Sequence, residues 1–122
     1  MLSKIKKASI VLASAFYVLV GIQHFVNPHW FVPIVPPYLP YPLLLVYISG
    51  FCEITLGLLL LIPPMRFIAG WGLVLFLIAV FPANIYVAQT NGQAMNLTPI
   101  IAWARLPFQL VFIAIAYWHA RK

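Results

Sequence analysis

Two side chains of opposite charge lie within long apolar stretches of this sequence, where other charged residues are missing. Glu53 is the only acidic residue of the chain, and Arg105 lies in its last apolar stretch. A carboxyl group can accept or release a proton, and a guanidinium group can hold a carboxylate or another anion. Because an isolated charge is costly to bury, we predict that Glu53 and Arg105 form an ion pair. Such a pair either fixes the packing of the elements that carry it or lines a small-molecule or proton site, and both interpretations stay open.

Four more polar side chains lie in similarly apolar surroundings and are candidates for the same site: Tyr17, His24, Asn84 and Gln109. His24 is interpreted either as a hydrogen-bonded structural histidine or as a group that transfers protons. No spacing among the histidine, cysteine and acidic residues resembles a metal-ligand motif, so no metal site is predicted. Cys52 is the only cysteine, and disulfide chemistry within the chain would need a second thiol.

The composition indicates where these side chains must lie. Of the 122 residues, 65% are hydrophobic and 7% are charged, whereas a soluble domain carries about a quarter charged residues. Residues 8–52 and 67–104 contain no charged residue. A soluble fold would need a polar face within these stretches, and a disordered chain would be poor in apolar residues. We therefore predict an integral membrane protein.

Prolines and polar residues divide the chain into four apolar segments. A helix needs roughly 20 residues to cross a bilayer, and the predicted spans are residues 5–26, 43–62, 66–89 and 99–119. Pro82 is expected to kink the third span and Pro107 to interrupt the fourth. The predicted fold is an all-α four-helix bundle in the membrane, formed by residues 1–122 as a single domain.

The connections predict how this bundle is oriented. Residues 28–42 hold six of the eleven prolines and several aromatic residues. They favour an extended or re-entrant loop at the membrane–water interface, with or without one short interfacial helix, that covers the polar side chains. Its aromatic residues are Trp30, Phe31, Tyr38 and Tyr41. The basic residues flank the other connections: Lys4, Lys6, Lys7, Arg66, Arg121 and Lys122. The positive-inside rule then places both termini in the cytoplasm and the proline-rich loop outside. This distribution does not form a basic stripe for nucleic acid.

This topology brings the polar candidates into the outer half of the bundle. Glu53 lies about ten residues into the second span and Arg105 about one and a half turns into the fourth, so we expect their ion pair between those two spans. Ser49, Glu53 and Gly57 are spaced by four residues and are predicted to form a small–acid–small strip on which a neighbouring helix packs closely. Phe76 and Phe112, on the opposite faces, are expected to meet lipid.

An ordered set of short motifs resembles the DoxX family of small four-helix membrane proteins. The motifs are Gly21-Ile-Gln-His24-Phe25, the proline-rich loop, Ser49-Gly50-Phe-Cys-Glu53, Pro82-Ala83-Asn84 and Arg105-Leu-Pro107-Phe-Gln109. The resemblance covers essentially the whole chain and implies a four-helix bundle in a bacterial inner membrane. That family includes a subunit of an archaeal thiosulfate:quinone oxidoreductase, a maturation factor for methylamine dehydrogenase and eukaryotic receptor-assembly chaperones. The resemblance therefore implies no single reaction and no catalytic residue.

Three functions are compatible with these features. The first is an accessory or assembly subunit of a larger membrane complex, redox-linked in some relatives, with other membrane subunits as partners. The second is a small membrane protein that holds a lipophilic ligand such as a quinone in the outer-leaflet polar pocket. The third, a minimal proton-coupled transporter, is disfavoured because a paired Arg105 would keep Glu53 ionised. Catalysis by the chain alone is not predicted, and a homo-oligomer stays open.

Overall fold

The computed structural model describes residues 3–93 and 97–121, and its regular structure in that part of the chain is helical throughout. The helices α1 to α6 span Lys4–Val26, Pro28–Phe31, Pro42–Leu60, Arg66–Ala79, Phe81–Gln89 and Pro99–Ala120, and 3₁₀ turns span Val32–Ile34 and Pro63–Met65. Within the described residues, four helical stretches are long and apolar enough to cross a membrane: α1, α3, the run Pro63–Gln89 and α6. Residues 1–2 and 122 at the ends of the predicted domain, including the basic Lys122, lie outside the described residues, as do residues 94–96.

Local sequence explains where the helices begin. The side chain of Ser3 accepts a hydrogen bond from the Lys6 backbone N–H at 3.1 Å, which caps α1. Before α3, Tyr41 adopts a left-handed conformation with φ 52°, and Pro42 takes the first helical position, where no N–H is needed. Thr98 caps α6 in the same way as Ser3, since its hydroxyl accepts from the backbone N–H of Ile101 at 3.4 Å.

The two prolines inside the spans behave differently. Helix α4 ends at Ala79 and α5 begins at Phe81, so the kink expected at Pro82 is present as a break in the third span. Pro82 has no N–H to donate to the carbonyl four residues earlier. Pro107, in contrast, lies inside a continuous α6, and the expected interruption of the fourth span is wrong. Prolines are tolerated within spanning helices when neighbouring groups satisfy the freed carbonyl.

Helices α1 and α3 pack through a regular pattern of buried positions, several of which hold small residues. Their buried positions repeat with alternating steps of four and three residues, as in a coiled coil: Ile10, Ser14, Tyr17, Gly21 and His24 on α1, and Val46, Gly50, Glu53, Gly57 and Leu60 on α3. A Cβ atom on Gly50 would lie 2.9 Å from the Gly21 carbonyl oxygen and 2.6 Å from the Cβ of His24. The two backbones therefore approach closely where both residues are glycine.

The small–acid–small strip on α3 differs from the predicted one by one residue. Gly50, Glu53 and Gly57 are buried, whereas Ser49 is only half-buried. The predicted position of Ser49 in this strip is therefore wrong. Glu53 and Gly57 belong to both strips, but Gly50 takes the place of Ser49, and Glu53 lies between the two glycines that pack on α1.

The remaining helices complete an antiparallel bundle. Helix α3 packs on α4, and α6 packs on both α4 and α5. At one end, which we call the basic end, Lys6 Nζ donates to the Arg121 carbonyl at 2.8 Å and Arg66 Nε donates to the Leu60 carbonyl at 2.9 Å. The half of the bundle next to it is filled by a mainly apolar core: Ile10, Tyr17, Leu60, Ala69, Leu73, Val74, Leu77 and Ala116. The opposite end, which carries residues 28–42, is called the loop end.

Candidate functional site

A cavity of about 1140 Å³ lies in the half of the bundle next to the loop end. The six polar residues singled out from the sequence all line it: Tyr17, His24, Glu53, Asn84, Arg105 and Gln109. They come from α1, α3, α5 and α6, which shows that every spanning stretch contributes a polar group. Most of the remaining lining is apolar. We call this space the central cavity.

The predicted ion pair between Glu53 and Arg105 is wrong. Within residues 3–93 and 97–121, the one acidic–basic contact joins His24 Nδ1 to Glu53 Oε2 at 3.5 Å, and it is an ion pair only when the imidazole is protonated. The reason is the packing of α3 on α1: Glu53 lies between Gly50 and Gly57, on the face buried against α1. The side chain of Arg105 bonds to α5 instead. The two charged groups share the central cavity without meeting.

The carboxyl group of Glu53 is buried without a hydrogen bond. Glu53 is 7% exposed, and in the part of the chain that the structure describes its Oε2 atom is buried with no hydrogen-bond partner. His24 does not supply one, because its Nδ1 atom lies 2.8 Å from the Val20 carbonyl oxygen. A carbonyl only accepts, so Nδ1 carries the hydrogen and directs it to the backbone. Glu53 therefore has unused hydrogen-bonding capacity inside the central cavity.

The loop end covers His24 through one aromatic side chain. Phe31, in the short helix α2, stacks on the His24 ring with centroids 3.9 Å apart and an angle of 12° between planes. Trp30 packs edge-on against Phe31 at 4.9 Å, and both line the central cavity. Tyr38 and Tyr41 are 75% and 74% exposed and are not part of the lining. Of the four aromatic residues predicted to cover the polar site, Trp30 and Phe31 thus lie against it, and the two tyrosines do not.

Arg105 is held by a chain of hydrogen bonds that runs through two amide side chains. Its Nε and one Nη donate to Asn84 Oδ1 at 3.1 and 2.9 Å. The Asn84 amide donates to Gln109 Oε1 at 2.8 Å, and the Gln109 amide donates to the Leu77 carbonyl at 2.7 Å. Leu77 lies in the last turn of α4, where carbonyls lack a partner within the helix. The break of the third span near Pro82 therefore leaves the Leu77 carbonyl free to accept the last of these hydrogen bonds.

The position of Arg105 leaves part of its guanidinium group free. A guanidinium has five N–H groups, and two of them bond to Asn84, so three remain. Among the described residues, none accepts from these three groups, and Arg105 lines the central cavity. The site thus presents donors at Arg105 and an unpartnered oxygen at Glu53.

The family of the chain follows from a sequence comparison. A family model described as a domain of unknown function (DUF8561) matches residues 12–120. The chain belongs to the DUF8561 family. No curated protein and no solved structure matches it. The DUF8561 match includes every residue that lines the central cavity.

Sequence reasoning missed the apolar walls of the site. Phe76 and Phe112 line the central cavity, so their expected place against lipid is wrong. Phe112 stacks on Phe16 with ring centroids 5.5 Å apart. Apolar side chains beside a cavity and beside lipid have the same composition, so no sequence signal separates them.

The central cavity reaches the side of the bundle between α1 and α6. Phe16 on α1 and Phe108 on α6 belong to its lining but are also 46% and 61% exposed. The stack of Phe16 on Phe112 closes this side toward the basic end. We call the space between α1 and α6 on the loop-end side of that stack the side opening.

The described residues hold no group of three histidine, cysteine or acidic side chains placed to bind a metal ion. Cys52 is a half-buried free thiol that lines the central cavity. The polar chemistry of the site is therefore that of Glu53, Arg105, His24, Tyr17 and the amides.

Proposed function

We propose that this protein binds a lipophilic molecule from the bilayer inside the central cavity. The observation that carries the proposal is the Oε2 atom of Glu53, which is buried beside a cavity of about 1140 Å³ with no hydrogen-bond partner in the described chain. Leaving a buried polar group unsatisfied costs about 1–3 kcal/mol or more when it is charged. An unsatisfied buried polar group in a native structure needs an explanation. Beside a cavity of this size, the explanation we favour is a ligand that supplies the missing hydrogen bond.

The construction of the central cavity supports the same proposal. Ligand sites are mostly apolar spaces into which a few polar side chains converge. Here apolar walls such as Phe76 and Phe112 surround Glu53, Arg105 and Gln109. The side opening lies between two helices that are each long and apolar enough to span a membrane. A lipophilic molecule would therefore enter from the bilayer without crossing water.

A quinone satisfies only part of this site. The free N–H groups of Arg105 would donate to a quinone carbonyl. An ionised Glu53, however, needs a hydrogen-bond donor, and a quinone ring has none. Quinones thus remain one class of ligand for the experiment below to test.

The membrane and the orientation of the chain are also proposals. We place the protein in a bacterial inner membrane, as the resemblance to DoxX proteins implies, with both termini in the cytoplasm. The gathering of Lys6, Arg66 and Arg121 at the basic end supports this orientation, because positive residues favour the cytoplasmic side.

A proton-coupled transporter is a second candidate. The objection from the sequence was an Arg105 that keeps Glu53 ionised, and Arg105 instead bonds to Asn84. Transport would require proton-driven movement of a substrate by reconstituted protein, lost in Glu53→Gln. The role of an accessory or assembly subunit stays a prediction, which co-purifying membrane proteins would support.

The experiment is native mass spectrometry of the protein extracted in mild detergent, with a matched pair of variants. Ser49 lines the central cavity, and Thr55 lies six residues further along α3 on its exposed face. We expect the wild-type protein and Thr55→Phe to retain a lipophilic molecule, and Ser49→Phe to lose it because the added ring occupies the cavity. Equal retention by both variants, or none by the wild type, would refute ligand binding in the cavity.

A further inference from the structure

The two charged side chains of the central cavity indicate what kind of molecule fits it. The carboxyl group of Glu53 and the guanidinium group of Arg105 line the same space and do not pair with each other. Charges in a low-dielectric site need partners. A ligand that satisfies both would bring a hydrogen-bond donor to Glu53 and an anionic group to Arg105.

The side of the site at Glu53 calls for a hydrogen-bond donor. Nδ1 of His24, 3.5 Å from Oε2, directs its hydrogen to the Val20 carbonyl, and the amide of Gln109 directs one of its hydrogens to the Leu77 carbonyl. Of the lining residues only Arg105 and the histidines can carry a positive charge. A primary ammonium group on the ligand would supply both the missing hydrogen bond and the opposite charge.

The side at Arg105 calls for an anion. Asn84 holds the guanidinium by two of its N–H groups, and the remaining N–H groups form the fork that matches phosphate or carboxylate oxygens. The bonds from Asn84 to Gln109 and from Gln109 to Leu77 fix Asn84 in turn. The fork is therefore pre-organised for an anionic group.

We propose that the ligand is a zwitterionic amphiphile, with a primary ammonium group at Glu53, an anionic group at Arg105 and an apolar chain in the side opening. This inference rests on the proposed function, in which the central cavity holds a lipophilic molecule. A zwitterion neutralises both side chains at once, whereas a purely anionic or purely cationic amphiphile would leave one of them unpaired.

The test compares three lysophospholipids that have the same acyl chain. Lysophosphatidylethanolamine carries both charges and ammonium N–H groups, lysophosphatidylcholine carries both charges without an N–H, and lysophosphatidylglycerol carries only the negative charge. Native mass spectrometry of delipidated wild-type protein should show retention of the ethanolamine lipid at roughly tenfold lower concentration than the other two, since a hydrogen bond to a charged group is worth about that factor.

Variants assign the two groups to their side chains. We expect Glu53→Gln to abolish the preference for ethanolamine over choline, and Arg105→Gln to weaken both zwitterionic lipids by roughly tenfold. Lys4→Gln is the control. Lys4 is exposed near the basic end and does not line the cavity, so this substitution removes one charge without changing the site. Retention by Lys4→Gln should match the wild type.

The outcomes separate this inference from the proposed function. Retention of all three lipids with equal affinity would overturn the zwitterion and leave ligand binding intact, whereas retention of none, and of no other lipophilic molecule, would overturn both. A preference for ethanolamine that survives in Glu53→Gln would contradict the position of the ammonium group. Competition by free phosphoethanolamine as strong as that of the lysolipid would show a soluble ligand and overturn the role of the apolar chain.

Discussion

His24 Nδ1 lies 3.5 Å from Glu53 Oε2 but gives its hydrogen bond to the Val20 carbonyl at 2.8 Å. The stacked ring of Phe31 holds the imidazole in this orientation. The only acidic side chain of the protein is therefore next to a histidine and beside a cavity, and no group in the described part of the chain forms a hydrogen bond with its Oε2 atom. The account of the site depends on this relationship, since it leaves Glu53 available to a ligand.

The first prediction concerns the stability of Glu53→Gln. Replacing the buried carboxyl group of Glu53, which has no hydrogen-bond partner in the described chain, by an amide should raise the melting temperature of the delipidated protein in detergent, because an amide cannot ionise and a buried charge is costly. Adding lysophosphatidylethanolamine should then stabilise the wild type and not the variant. Ser49→Ala, one turn away on the cavity wall, is the control and should keep the response to ligand. A lower melting temperature for delipidated Glu53→Gln would show that the carboxyl group already has a stabilising partner.

A second prediction separates the observed site from the ion pair expected from the sequence. Glu53→Gln and Arg105→Gln should change the free energy of unfolding of delipidated protein additively, within about 0.5 kcal/mol, because the two side chains share no hydrogen-bond partner. A double-mutant cycle followed by thermal unfolding measures this. A coupling above about 1 kcal/mol would mean that the two charges meet.

The hydrogen-bond chain behind Arg105 gives a third prediction. Asn84→Ala leaves the Gln109 oxygen and part of Arg105 without partners, which should cost about 1–3 kcal/mol of stability. Asn27 offers a matched control, because its amide donates to Gln23 Oε1 at 3.0 Å on the exposed surface. Asn27→Ala should change stability by no more than about 0.5 kcal/mol. Similar losses of stability in both variants would show that the buried hydrogen bonds of Asn84 stabilise the protein no more than an ordinary surface hydrogen bond does.

The fourth prediction tests the close approach of α1 and α3. A methyl group on Gly50 would meet the Gly21 carbonyl oxygen and the His24 Cβ, which are close to or part of the backbone, so Gly50→Ala should destabilise the protein by about 1–3 kcal/mol. A methyl on Gly72 would meet only the end of the Leu56 side chain, which can move. Gly72→Ala should therefore be tolerated, and thermal unfolding of both variants checks the difference. A stable Gly50→Ala protein would contradict the contact.

A fifth prediction addresses orientation. A reporter fused to the C-terminus should signal from the cytoplasm, because the basic residues gather at the end where α6 finishes. An alkaline phosphatase fusion that is active in the periplasm would reverse the proposed topology.

The spanning helices and the polar residues that line the site could be predicted from the sequence, whereas the contacts among those residues could not. Apolar length and prolines locate the spanning stretches, so α1, α3 and α6 begin and end within two residues of the predicted spans. Polar residues in apolar stretches must face one another or a cavity, which brought the six candidates together. Periodicity within one helix does not tell which neighbour a face meets.

The error at Glu53 shows this limit in physical terms. Ser49 and Gly50 lie about 100° apart around α3, and the sequence does not tell which of them packs beside Glu53 or against which neighbouring helix. The close approach of Gly21 and Gly50 places this face of α3 against α1. Asn84, meanwhile, was recognised as a polar residue, but nothing in its sequence surroundings identified Arg105 as its partner.

The central claim is that a lipophilic molecule occupies the space between α1 and α6, and photo-crosslinking tests it most directly. Membrane vesicles containing the protein would be labelled with a diazirine-bearing lysophosphatidylethanolamine, and the labelled residues mapped by peptide mass spectrometry. The account predicts labels on cavity residues such as Val20 and Phe112, removed by excess unlabelled lipid and missing in Ser49→Phe. Labels spread evenly over exposed side chains such as Leu58 and Leu75, with no displacement by unlabelled lipid, would contradict it.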